Sequence, residues 1–161
     1  MRLVLFNLLY CSAVWFECSK NSRWKLEKMH ERALRVATNN ASLVYKDLLA
    51  DTKICSLYVL HMKTFLELVY KVQHSMVPPI DVHFYKTCER FHNLRDADNL
   101  HKPQFKTVTY GYHSLKYQGP HLWNKLPNSV KKDNGSFQMF KDKLRSWAPT
   151  CVCGSCFLCL I

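Results

Sequence analysis

Apolar residues recur at helical spacing through the first half of the chain and predict three helices there. The first covers residues 22 to about 37, and the second is a short helix over residues 42–50. The third and longest, over residues 56–75, has apolar positions on two neighbouring stripes, so we expect it to be buried on two sides. The core stripe of the first helix is predicted to consist of Leu26, Met29, Ala33 and Val36.

The second half of the chain is punctuated by glycine, proline and large aromatic residues. Residues 104–110 alternate weakly and are rich in Thr, Val, Phe and Tyr, which is typical of a short strand. Residues 114–118 could pair with that strand across a turn at Gly111. Gly111 and Gly119 permit positive φ, and Pro120 fixes φ for a turn or for the start of a helix.

A final helix is expected after a loop at residues 131–135. Ser136 can cap it, and its core stripe is Phe137, Phe140, Leu144 and Trp147. These patterns together predict a mainly α protein, with a single helical domain over residues 1–148 and a small β-hairpin or irregular region near 104–118. A flexible, cysteine-rich tail, residues 149–161, lies outside that domain.

The first 16 residues are mostly apolar, so we expect them to be buried on most sides, as a strand or a helix. They also resemble a signal peptide, because Arg2 precedes the apolar run. Asn7 interrupts that run, however, and no small-residue cleavage site follows it. The run is also shorter than the roughly 20 residues that a membrane-spanning helix needs. A buried element is therefore preferred over a leader or a membrane anchor.

A formal net charge of +11 favours a polyanionic partner, with nucleic acid the commonest kind and an anionic membrane surface the rival. Residues 20–35 hold six Lys or Arg against two Glu, and residues 102–145 hold nine against two Asp. A basic stripe of this kind is also what a solvated helix face looks like. The predicted phosphate contacts are Lys25, Lys28, Arg32, Arg35, Lys131, Lys132, Lys141, Lys143 and Arg145.

Eight cysteines fall into two groups. The scattered ones, Cys11, Cys18, Cys55 and Cys88, are expected to act as small buried hydrophobes in a reducing compartment, which favours the nucleus or cytoplasm over secretion. Four more crowd the tail, and four thiolates suit tetrahedral zinc. Free thiols on a frayed tail are preferred, so no cofactor is predicted. The weak zinc set consists of Cys151, Cys153, Cys156 and Cys159.

Catalytic motifs are missing from the sequence. The four glycines are too widely spaced for a phosphate-binding loop, and there is no Gly-x-Ser-x-Gly elbow. The one close pair of aspartates, Asp96 and Asp98 beside Arg95, is typical of a turn or a capping cluster. His113 and His121 have no convincing catalytic partner nearby in sequence. These observations argue against an enzyme.

Seven segments, taken in order, carry a resemblance to a known family. They are residues 7–15, 26–35, 42–49, 56–71, 93–95, 110–127 and 140–147. In order and spacing they resemble the thumb and post-thumb region of non-LTR, LINE-type (jockey-like) retrotransposon reverse transcriptases. The longest match reads YGYHSLKYQGPHLWNKLP, and the match over 26–35 reads LEKMHERALR.

The resemblance implies a function without catalysis. In such proteins the fingers and palm, with their catalytic aspartates, precede this region. The chain is thus expected to be a truncated, catalytically incompetent C-terminal fragment of an RNA-directed DNA polymerase. It would retain RNA or DNA backbone binding and would pack against the upstream polymerase core in a full-length parent. The run from Leu60 to Lys63 departs from the family in being less basic than that helix often is.

Two alternatives to that interpretation remain open at this point. One is a helical protein-interaction module, or an open reading frame without a function. The other is a small secreted basic protein, suggested by the N-terminal run and the cysteines.

Overall fold

The computed structural model describes residues 2–16, 18–78, 82–84, 99–132 and 136–147. These residues are mainly helical and form no extended strand, so the mainly α prediction is confirmed. A π-helical turn, Val108–Tyr112, precedes the last three helices. The α-helices in chain order are α1 (Arg2–Leu9), α2 (Ser12–Trp15), α3 (Lys20–Thr38), α4 (Tyr45–Thr52), α5 (Leu57–Gln73), α6 (Leu115–Lys125), α7 (Asn128–Lys131) and α8 (Phe137–Ser146).

The described residues divide into two compact units, with the division after Thr64. Unit 1 holds α1 to α4 and the beginning of α5. Unit 2 holds the rest of α5 and the described residues that follow it.

The N-terminal segment is helical but is not buried on most sides, which corrects the prediction. A left-handed residue, Cys11, with φ of 50°, separates α1 from α2. One face of the pair is buried, and it carries Leu8, Ser12 and Phe16. The other face is exposed, and it carries Phe6, Tyr10 and Val14. Cys11 is exposed too, whereas it was expected to be a buried hydrophobe.

Helix α3 has the predicted extent but buries a different face. Its N-cap is Ser19, whose hydroxyl accepts from the Ser22 amide at 3.3 Å. The predicted core residues Met29 and Val36 are 55% and 83% exposed. The buried face lies one residue later along the helix and consists of Glu27, His30, Glu31 and Leu34. The prediction was wrong because three of these four residues are polar, and hydrophobic periodicity does not register them.

Helices α4 and α5 agree more closely with the sequence pattern. Leu48 of α4 is fully buried, and Tyr45 opens that helix. Helix α5 is buried on two sides, as predicted. Its buried apolar residues are Leu57, Val59, Met62, Phe65, Leu66, Val69 and Tyr70.

The β-hairpin alternative at 104–118 is wrong, and the irregular alternative holds. Residues 101–107 have no regular structure, and the turn Val108–Tyr112 is π-helical. Ser114 is the N-cap of α6, where its hydroxyl accepts from the Tyr117 amide at 3.3 Å, so the predicted second strand is the start of a helix. The cap signal at Ser114 outweighs the β-propensity of the residues around it.

Gly111 and Gly119 do not adopt positive φ, and they are needed because neighbouring atoms leave no room for a Cβ. A Cβ on Gly111 would lie 2.6 Å from Phe105 Cβ, and one on Gly119 would lie 2.7 Å from Phe84 Cζ. Gly119 stands inside α6 directly before Pro120. Proline normally clashes with the Cβ of the residue before it, so a glycine there lets the helix continue.

Unit 2 is organised around an aromatic core. Phe140 of α8 is fully buried and stacks on Tyr70 at 4.4 Å and on Trp123 at 5.7 Å between ring centroids. Leu144 is buried as predicted, whereas Phe137 and Trp147 are half-buried. The short helix α7 directly precedes the loop that was predicted at residues 131–135.

Among the described residues, none of the helices combines the length and the apolar character that crossing a bilayer requires.

Candidate nucleic-acid interface

The predicted basic stripe of α3 is partly neutralised by one carboxylate on the same helix. Glu31 accepts from Lys28 Nζ at 2.8 Å and from Arg35 at 2.7 Å, and Arg35 also donates to the Ala41 carbonyl at 2.8 Å. Lys28, and then Arg35, hold the pKa of Glu31 below its ordinary value. The other two predicted contacts, Lys25 and Arg32, are exposed. Two of the four predicted contacts on α3 are thus paired with Glu31, and the other two are not.

The predicted cations after residue 130 are mostly engaged within the fold. Lys131 Nζ donates to Asn99 Oδ1 at 2.8 Å and to the Asn124 carbonyl at 3.2 Å. Lys143 Nζ donates to the carbonyl of Lys132 at 2.9 Å, while the Lys132 side chain itself is exposed.

The remaining two predicted contacts form ion pairs. Lys141 lies 3.8 Å from Glu67, and Arg145 lies 3.4 Å from Asp142. The nine predicted residues are thus distributed over both units, and six of them make ion pairs or hydrogen bonds within the fold.

A buried polar cluster in unit 1 was not predicted. The Glu27 carboxylate of α3 accepts from the Tyr45 hydroxyl at 2.6 Å and from the backbone amides of Leu57 and Tyr58 at 3.3 and 2.8 Å. These two amides open α5, so a side chain from another helix caps it. Sequence spacing alone does not reveal such a cap, because its partners are about thirty residues apart.

Hydrogen bonding in this cluster assigns the proton positions. Tyr45 has one hydroxyl proton and gives it to Glu27, so its oxygen accepts from His30 Nδ1 at 2.8 Å. His30 therefore carries its proton on Nδ1, and the bare Nε2 is buried with no hydrogen-bond partner among the described residues. Burial lowers the pKa of His30, and burial together with Glu27 raises the pKa of Tyr45.

The same region has little room for a substrate. A cavity of about 10 Å³ lies beside Glu27 and His61, which is enough for roughly one water molecule. His61 is buried there and donates from Nε2 to the Leu8 carbonyl at 2.8 Å. Arg23 closes the region by donating to the Phe16 carbonyl at 3.0 Å. We interpret this cluster as a structural one.

Residues 99–132 carry exposed cations that the predicted contacts only partly identified. This stretch contains six lysines and neither aspartate nor glutamate. Besides Lys131 and Lys132, its cations are Lys102, Lys106, Lys116 and Lys125, and these four are exposed. Two features of the sequence could have identified these cations. The 34 residues contain no carboxylate, and their lysines are interleaved with aromatic residues. We call these residues the acid-free segment.

Two contacts fix the irregular start of the acid-free segment. Asn124 of α6 forms a pair of hydrogen bonds with the backbone of Leu100, accepting from its amide at 2.8 Å and donating to its carbonyl at 2.9 Å. Further along, the Cβ of Phe105 packs directly against Gly111. The chain before the π-helical turn is thereby held on α6 and on the turn itself.

Aromatic rings pack into a cluster within the acid-free segment. Phe105 meets Tyr117 edge-on at 4.7 Å and Tyr112 at 5.6 Å. Tyr112 and Tyr117 are 5.3 Å apart, and Tyr117 stacks on His121 at 5.9 Å. Tyr110 stands apart from this cluster and is 86% exposed.

Positive charge surrounds one edge of the cluster. Tyr117, His121 and Lys125 follow one another at intervals of four residues, so they share a face of α6. Burial lowers the pKa of His121, and the ammonium groups of Lys125 and Lys102 lower it further. Lys102 and Lys125 therefore act on the same part of the surface although they are distant in sequence.

The predicted zinc cysteines, Cys151, Cys153, Cys156 and Cys159, lie outside the described residues, as does Cys88. Within the described ranges, no group of three or more His, Cys, Asp or Glu side chains is arranged to hold a metal ion.

No protein-family model, curated protein or solved structure matches this chain.

Proposed function

We propose that this chain binds RNA or DNA through phosphate contacts made by the acid-free segment, and that it carries no catalytic step. The observation that supports the proposal most directly is the set of four exposed lysines, Lys102, Lys106, Lys116 and Lys125, in a stretch without a carboxylate. When lysines neutralise phosphates, counterions condensed on the nucleic acid are released, and this release drives binding. A helix that binds a membrane surface presents its apolar side chains to the bilayer, whereas α6, which carries two of these lysines, buries Leu122 and Trp123 in the fold.

We further propose that the chain corresponds to the thumb and post-thumb region of a non-LTR retrotransposon reverse transcriptase. The proposal rests on the ordered segments from residues 7–15 to 140–147. Its setting would then be intracellular, in the nucleus or cytoplasm, where such nucleic acids lie. Sequencing the transcript upstream of Met1 tests this origin. An open frame that leads back into paired catalytic aspartates supports it, and an unrelated reading frame contradicts it.

Binding is tested by fluorescence anisotropy of a labelled single-stranded RNA at about 50 mM salt, followed by a salt titration. If four lysines each contact a phosphate, the logarithm of the affinity should fall with the logarithm of salt with a slope of about −3, at roughly −0.7 per contact. Absence of binding at low salt would refute the proposed function.

A pair of charge-matched variants tests the position of the interface. One replaces Lys102, Lys106, Lys116 and Lys125 with glutamine. The other replaces four exposed cations of unit 1, Lys20, Lys25, Arg32 and Lys46, and leaves the Glu31 ion pairs intact. Both lower the net charge by four, and glutamine keeps a similar helix propensity. We expect at least a tenfold loss of affinity and a flatter salt slope in the first variant only. Equal losses in both variants would show that net charge, and not this surface, accounts for binding.

A second candidate function is supported by exposed apolar side chains in unit 1. Phe6, Tyr10 and Val14 are 68%, 67% and 75% exposed, on one face of the N-terminal helices. A face of this kind suits a helical protein-interaction module. Sedimentation of the chain over a range of concentrations tests it. If the chain self-associates and Phe6→Lys abolishes this association, an apolar contact through this face is supported. If the chain is a monomer at all concentrations, copies of the chain do not associate through it.

A further inference from the structure

Tyr110 is the most exposed large side chain of the acid-free segment. Its ring is 86% exposed, whereas Tyr112 and Tyr117 are half-buried in the aromatic cluster. An aromatic ring left almost entirely in water contributes little to folding, because the free energy that it could gain comes from burial.

The backbone holds Tyr110 outward by a regular set of hydrogen bonds. The π-helical turn that carries it is closed by the Tyr112 amide, which donates to the Thr107 carbonyl at 3.2 Å, and by the His113 amide, which donates to the Val108 carbonyl at 3.3 Å. The Ser114 hydroxyl adds a bond to the Gly111 carbonyl at 2.7 Å. π-Helical turns are rare in proteins, and those inside α-helices often lie at functional sites.

The floor beneath this turn is packed. Gly111 lies against Phe105 so closely that no Cβ would fit, and Phe105 is held edge-on by Tyr112 and Tyr117. The turn is therefore supported by rings that contact one another, with Phe105 itself 41% exposed. A ring presented from a packed support loses little conformational entropy when it binds a ligand.

We infer that the acid-free segment is selective for single-stranded nucleic acid and that it stacks an unpaired base on the ring of Tyr110. This inference rests on the proposed function and adds the substrate class to it. Bases in a duplex are already stacked on one another and offer only their edges, whereas an unpaired base offers a free face. Lysines on the same segment, such as Lys106, supply the charge that a phosphate backbone requires, and no carboxylate of this segment repels it.

The test compares two substrates and three variants of the full chain. Anisotropy is measured on a single-stranded RNA of about 15 nucleotides and on the same sequence as a duplex. Tyr110→Ala removes the ring, and Tyr110→Phe keeps it. Tyr10→Ala is the matched control, since Tyr10 is also an exposed tyrosine, at 67%, but lies in unit 1.

The expected result is a loss of roughly five- to 100-fold in single-strand affinity for Tyr110→Ala. Tyr110→Phe should bind as the unchanged chain does, and so should Tyr10→Ala. Duplex affinity should change by less than about twofold, because phosphate contacts persist there. Replacing bases of the single strand by abasic positions should weaken the unchanged chain and have little further effect on Tyr110→Ala.

Two results would overturn the inference. One is an unchanged single-strand affinity in Tyr110→Ala, and the other is an equal loss on single strand and duplex. Neither result would contradict the proposed function. That function fails only if the unchanged chain does not bind RNA, or if its binding does not depend on the lysines of the acid-free segment. Tyr110→Ala alters an exposed side chain, so thermal unfolding of the variant should match that of the unchanged chain and exclude misfolding.

Discussion

Helix α3 and the acid-free segment are both strongly basic, yet they use their cations differently. On α3 a carboxylate lies within reach of the cations, and Glu31 pairs with two of the four predicted contacts. Between residues 99 and 132 there is no carboxylate at all, and four lysines are exposed. The comparison shows that the charge excess of a stretch does not by itself tell which of its cations are held in ion pairs. What matters is whether carboxylates of the same stretch already occupy the cations.

The buried sides of the two regions differ as well. Helix α3 turns a polar face inward, with Glu27 and His30 in a hydrogen-bonded cluster. Helix α6 turns Leu122 and Trp123 inward, and Trp123 stacks on Phe140. The stability of α3 is therefore expected to depend on satisfied polar groups and on pH, and that of α6 on close packing.

The largest effect is expected from Glu27→Ala. The change leaves the Tyr45 hydroxyl and the amides of Leu57 and Tyr58 without their acceptor, so the free energy of unfolding should fall by about 3–5 kcal/mol. Urea denaturation measures it. Glu27→Gln, which keeps one acceptor oxygen, should lose less. A loss below about 1 kcal/mol in Glu27→Ala would contradict the structural role of the cluster.

A second prediction concerns pH. Burial lowers the pKa values of His30 and His61 from the ordinary 6.5. As the pH falls, these two histidines are therefore protonated in the unfolded chain at a higher pH than in the folded chain. The stability that the neutral histidines confer is complete above pH 6.5 and is lost as the pH falls toward the folded-state values. Each histidine contributes at most about 1.4 kcal/mol per pH unit.

Denaturation curves between pH 7.5 and 5.5 measure this slope. His61→Gln can still donate to the Leu8 carbonyl but cannot titrate, so it should flatten the slope. A stability that is constant over this range, or that rises as the pH falls, would contradict the buried neutral state.

Gly111→Ala should destabilise the acid-free segment by about 1–3 kcal/mol. The added methyl group would lie 2.6 Å from Phe105 Cβ, which is attached to backbone and cannot swing away as a flexible side-chain end could. The aromatic cluster should loosen, which near-ultraviolet circular dichroism would detect. Ser129→Ala, at an exposed position in α7, serves as a control and should leave that spectrum unchanged.

Glu31→Gln should give the smallest effect. Its ion pairs with Lys28 and Arg35 lie partly in solvent, so the loss of stability should stay below about 1 kcal/mol. The change also releases two cations on α3. If the acid-free segment is the interface, RNA affinity should rise by no more than about threefold, as expected for one added positive charge outside that segment. A tenfold rise would place α3 within the interface and remove the contrast between the two regions.

Sequence reasoning succeeded where apolar side chains decide the structure. Helix α5, with Leu66 and Val69 fully buried, and α8, with Phe140 and Leu144, follow their periodic patterns closely. It was wrong for α3, where the buried face is set by hydrogen bonds to partners such as Tyr45 that a local pattern does not contain.

The turn region shows a different limit. Weak alternation at 104–110 indicated a strand, but a strand requires a partner, and the following residues are committed to α6 by the cap at Ser114. For the candidate interface, composition identified the broad basic region, but the contacts that Lys131, Lys141 and Arg145 make within the fold could not be read from charge. The exposed lysines and Tyr110 were present in the same sequence and needed the tertiary structure to stand out.

The cap on α5 has a consequence for the order in which the chain folds. The amides of Leu57 and Tyr58 find their acceptor only when Glu27, thirty residues earlier, has been brought beside them. The first turn of a helix is the costly one to form, so α5 gains its beginning from this loop closure as well as from the local cap at Ser56, whose hydroxyl accepts from the Val59 amide at 3.4 Å. Exchange of these two amide hydrogens with deuterated water should accordingly follow the opening of the contact between α3 and α5, and should speed up in Glu27→Ala far more than exchange in the middle of α5.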